Sequence, residues 1–154
     1  MIDPHEAQPR AQVLTASWTT RRGVQIVTSD LPDAWTNTLL RLGRDLRVRH
    51  YGGSIEQIDW AAEYEAGTGG VLLRTAVTVA GRERHGLGMS GAVPQIDDDE
   101  ESITAAVADL VQDQVARAHV AWPWGDWGGF MSPRLEDSVA VWLDNGRRIA
   151  IGAL

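Results

Sequence analysis

The chain has 154 residues, 44% of them hydrophobic and 23% charged, which suits one ordinary globular domain and would be cramped for two. It has no cysteine, and that excludes thiolate zinc sites, iron–sulfur clusters, disulfide scaffolds and cysteine nucleophiles together. A net charge of −7 opposes nucleic-acid backbones and anionic lipid, and because all 14 basic residues are arginine, Schiff-base lysines and Walker A phosphate loops are excluded as well.

Arginine without lysine, amid abundant alanine, glycine and valine, is the composition expected of a GC-rich genome, actinobacterial or phage. The opening Met1-Ile2-Asp3-Pro4-His5-Glu6 lacks the basic flank and apolar run of a secretory signal, and no apolar stretch approaches the roughly 18 residues of a membrane span. A cytoplasmic protein is the expectation. Residues 1–11 carry two prolines and no periodicity, and read as a flexible arm ahead of a single domain over 12–154.

Val13 to Thr19 and Gly23 to Thr28 are β-rich runs around Thr20-Arg21-Arg22, a first hairpin in which Gly23 permits the turn. Ser29 to Asp33 combines an N-cap oxygen, an early proline and an acidic first turn. Leu31, Trp35, Leu39, Leu42 and Leu46 then recur at helical spacing. Arg41, Arg44, Arg47 and Arg49 crowd the end of this helix, where a solvated helix terminus is favoured over an anion clamp.

From Glu56 to Glu65 the chain alternates, with Ile58, Trp60, Ala62 and Tyr64 on one face and Gln57, Asp59, Ala61, Glu63 and Glu65 on the other. One buried and one wet face belong to an antiparallel sheet. The glycine-rich turn at 66–70 leads into Val71 to Val79, where Arg74 can pair with Asp59 or Glu63, and a weaker strand runs from Arg82 to about Met89. The acidic run 97–101 then opens a second amphipathic helix through Ile103, Val107, Leu110, Val111, Val115 and Ala118. Ser138 to Leu143 and Arg147 to Ile151 flank Asn145-Gly146, a strong hairpin signal. The fold expected is α+β, a mainly antiparallel sheet of about seven strands with two helices on one face, in the order ββ-α-βββ-α-ββ.

The motifs that name chemistry fail on context. Gly86-Leu87-Gly88-Met89-Ser90-Gly91 matches a dinucleotide fingerprint by letter, but a proline and an acidic run follow where a helix N-terminus should face phosphate. The four histidines have no ligand-pair spacing and the acidic run has no calcium-loop pattern, so neither a metal nor a cofactor is expected.

Tryptophan is the unusual feature. Trp18, Trp35, Trp60 and Trp142 fit the core, whereas Trp122-Pro123-Trp124-Gly125-Asp126-Trp127-Gly128-Gly129-Phe130 must be a loop. Its rings either fold back as a plug over the core or stay exposed as anchors, with Trp124 and Trp127 the candidates.

The leading expectation is a binding protein of the inhibitor, immunity, adaptor or phage type. It would bury Trp122, Trp124, Trp127 and Phe130, with Asp126, in another protein, while Asp59, Glu63 and Glu65 complement a basic surface. The alternative is an enzyme or ligand receptor with a pocket between sheet and helices, using His50 or His85 with Asp59 or Glu63 for proton transfer and Arg74 to orient substrate.

Overall fold

The computed structural model describes residues 11–82, 85–88 (backbone only) and 94–154. The expected arm therefore lies outside the described residues, except Ala11, which opens the first strand. The side chain of His85 and residues 89–91 of the glycine motif also lie outside them.

The elements run β1 (Ala11–Thr19), β2 (Gly23–Ser29), α1 (Asp33–Asp45), β3 (Ile55–Glu65), β4 (Gly70–Val79), β5 (His85–Gly88), α2 (Glu100–Arg117), β6 (Ser132–Glu136), β7 (Val139–Asp144) and β8 (Arg147–Ala150). This is a single α+β domain with every strand pair antiparallel. The strands fall into two sheets, β2-β1-β3-β4-β5 and β6-β7-β8, rather than one, and β6 is added to the expected order.

Alternation sets the register of the larger sheet. Ala16, Trp60 and Thr75 lie side by side on the helix-facing side, as do Trp18, Ile58 and Val77, and all six are buried. Leu39, Leu42 and Leu46 of the first helical stripe close over that face, with Trp35 and the Ile103, Val107 and Val111 stripe of α2. The two helices meet through a hydrogen bond between the Thr38 and Thr104 hydroxyls at 2.8 Å.

Local signals are used in part as expected. Gly23 and Asn145-Gly146 take the positive φ angles that their turns need. Asp99 caps α2 by accepting from Ser102 N, and Glu100 and Glu101 pair with Arg41 at 3.3 and 2.6 Å. At α1 the reading needs correction. The Ser29 hydroxyl serves Leu31 N, so the helix starts at Asp33 without a side-chain cap.

The smaller sheet is attached through Asp45, a buried residue in the last turn of α1. Its carboxylate accepts from Trp142 Nε1 at 2.7 Å, Gly152 N at 2.6 Å and Leu154 N at 3.0 Å. Among the described residues, no helix is long and apolar enough to cross a membrane.

Candidate functional site

The chain leaves α2 at Ala118 and His119, whose carbonyls accept from the Arg82 guanidinium, and turns through a positive φ at His119. A guanidinium on the last carbonyls also suits the negative end of the helix. Ala121 then exchanges two backbone hydrogen bonds with Tyr51, at 2.8 and 2.9 Å, which fastens the tryptophan segment to the connection between α1 and β3.

From there the segment divides its rings. Trp122 is fully buried, donates Nε1–H to the Asp45 carbonyl at 3.0 Å and meets Trp142 edge-on at 5.3 Å. It is a plug, and the expectation that it touches a partner is corrected. Pro123 and Met131 are buried beside it, and Gln112 of α2 donates to the carbonyls of Trp122 and Met131.

Residues 124–130 form a closed hairpin instead. Trp124 pairs with Phe130 across it, and Gly125 N donates to Gly129 O at 2.8 Å. Gly128 and Gly129 both hold positive φ at the tip, where a side chain would be strained. Gly125 has no room for a Cβ, which would press on the Asp144 carboxylate.

Asp126 braces the hairpin by pairing with Arg49 at 2.9 Å and Arg147 at 2.8 Å. The hydrogen bond and charge of Arg49, followed by those of Arg147, hold its carboxyl below the ordinary range. This carboxylate braces the hairpin, and its side chain remains exposed there.

The outcome is an aromatic surface. Trp124 lies half-buried, stacked on Tyr51 at 4.2 Å with planes 9° apart and set edge-on to Phe130 at 6.0 Å. Tyr51 is 57% exposed, Phe130 53% and Trp127, at the tip, 78%. Beside Phe130 a cleft of about 290 Å³ runs along Asp109, Gln112, Asp113 and Ala116 of α2. Sequence reasoning missed Tyr51 and Arg49, because only the long-range pairing of Tyr51 with Ala121 brings them to the loop.

The remaining candidates lie elsewhere. Asp59, Glu63 and Glu65 sit on the face of β3 turned away from the helices, where Asp59 accepts from Gln57 at 2.9 Å. Arg74 Nε stands 3.2 Å from Glu63, out of line for a hydrogen bond, so that pair is purely electrostatic.

His50 is held by the backbone at both nitrogens. Nδ1 accepts from Ile55 N at 3.1 Å, and Nε2 meets the Leu46 carbonyl. That ring ties the end of α1 to the start of β3, and the structure does not bring it to Asp59, Glu63 or Arg74. Compared with protein-family models, characterised proteins and solved structures, the chain matches none.

Proposed function

We propose that this protein acts by binding another protein through the aromatic hairpin, with Trp127 as the anchor and Phe130, Tyr51 and the edge of Trp124 as the surrounding contact. The observation that carries the reading is the 78% exposure of Trp127 on a hairpin braced by two ion pairs. Water penalises an exposed indole, so an unliganded fold gains nothing by holding one out. A partner gains a large ring whose backbone is already ordered, which lowers the entropy lost on association.

Asp109 and Asp113, the latter paired with Arg117 at 3.2 Å, lie beside the Phe130 cleft and add to the acidic character of the expected recognition surface. They favour a partner segment that carries basic side chains around an apolar one. Asp59, Glu63 and Glu65 on the outer face of β3 give charge complementarity to a basic partner surface and a faster encounter with it under the net charge of −7.

The test is affinity capture from extracts of the source cells with the wild-type chain and Trp127→Ala side by side, followed by titration of the purified partner. The loss expected is about 2 kcal/mol, roughly thirtyfold in Kd, at unchanged melting temperature. Equal affinity in the two folded proteins would remove the hairpin as the anchor.

A further inference from the structure

The four arginines at the end of α1 do not share one fate. Arg41 is paired with Glu100 and Glu101, and Arg49 with Asp126. Arg44 and Arg47 instead line a cleft of about 320 Å³ together with Arg22, Gly23, Val24, Leu40 and Gly43. Among the described residues, no carboxylate lines it. Among the described residues, none of Arg22, Arg44 and Arg47 has an ion pair, whereas Arg41, Arg49, Arg74, Arg117, Arg147 and Arg148 do; Arg21, Arg82 and Arg134 also have none, but they do not line this cleft.

The helix dipole accounts for Arg44 and Arg47, since cations suit a helix C-terminus. It does not account for Arg22, which comes from the β1–β2 turn. The approach of that turn to α1 is built in by two glycines. Gly43 presses its backbone against Val24 and Trp18, and its carbonyl accepts from Trp18 Nε1 at 2.9 Å. Gly23 holds φ +71, and a Cβ there would lie 3.3 Å from an Arg47 guanidinium nitrogen. Tertiary packing thus gathers three like charges in a protein whose net charge is −7.

We propose that this cleft binds a compact organic phosphate, with the three guanidinium groups taking the phosphate oxygens and Val24 and Leu40 taking an apolar or planar body. Guanidinium forks match phosphate oxygens, and three uncompensated cations suit a dianion better than a single carboxylate. Leu40 is 42% exposed at the cleft, so an attached ring has apolar surface to cover. The volume is at the lower end of small-molecule pockets. Screening confines the positive field to roughly 8–10 Å, so a short phosphate ester is attracted while a long polyanion meets the repulsion of the whole chain.

The test is calorimetric titration at low salt with phenyl phosphate, inorganic phosphate and benzoate, on the wild type and on Arg22→Gln, Arg44→Gln, Arg47→Gln and, outside the cleft, Arg148→Gln. The proposal requires saturable 1:1 binding of phenyl phosphate, at least about tenfold tighter than either other probe, a difference of about 1.4 kcal/mol. Each cleft variant should weaken it by about tenfold or more, and Arg148→Gln should leave it within about twofold. The three cleft variants remove unpaired charges, so their melting temperatures without ligand should not fall. Arg47→Lys keeps the charge and loses the fork, and should bind between the wild type and Arg47→Gln. No saturable binding, equal affinity for benzoate, or binding indifferent to all three cleft substitutions would overturn the proposal.

Discussion

Asp45 shows how one side chain can hold distant parts of a chain together. Its carboxylate has three N–H donors, two of them the backbone of Gly152 and Leu154, and burial still raises its pKa because desolvation outweighs those donors. Glu101 is the opposite case. The hydrogen bond from Arg41 is the largest effect and lowers its pKa below the ordinary 4.5, helped by the Ala140 N–H. A carboxyl whose pKa falls on folding contributes stability that is complete above its unfolded value and is lost as pH falls through its folded one. Glu101→Gln keeps an acceptor for Ala140 N while losing the charge. Its melting temperature should therefore lie below that of the wild type at pH 7, with the gap closing as pH drops below about 4.5. Parallel curves across that window would deny the pair this role.

Gly43 and the two helices show what element packing requires. An alanine in an exposed helix interior outperforms glycine by about 1 kcal/mol, yet here the added methyl would strike Val24 and Trp18. Gly43→Ala should therefore destabilise by about 1–3 kcal/mol in urea denaturation, and a stabilised variant would mean that α1 does not sit this close to the hairpin. Most elements were legible because their periods are clean. The alternation from Ile58 to Tyr64 fixes β3, Asn145-Gly146 fixes the last turn, and the leucine spacing fixes α1. The strand β6 was not legible. It contains Pro133, exposes Leu135, and is joined to β7 by Asp137 and Ser138, which take positive φ without the glycine or asparagine that advertises such a turn.

The division into two sheets was hidden for the same reason as the site. Both depend on the pairing of Tyr51 with Ala121 and on the Asp45 carboxylate, contacts between segments far apart in sequence that no local pattern records. The density of proline, glycine and tryptophan marked residues 122–130 as the segment to watch. Which rings turn inward was set elsewhere. Trp122 enters the core because Asp45 O and Trp142 await it, and Trp127 stays out because Asp126 is tied between Arg49 and Arg147. The molecule thus carries an aromatic surface and a separate arginine-lined cleft that share no residue, and the two are open to independent tests. For the aromatic surface the decisive measurement is photo-crosslinking in the source cells, with a benzophenone amino acid placed in turn at Trp127, Phe130, Val27 and Asp137, all of them exposed. A shared adduct from positions 127 and 130, absent from 27 and 137, is the outcome that recognition through the hairpin requires. Adducts from 27 or 137 with none from 127 would contradict it.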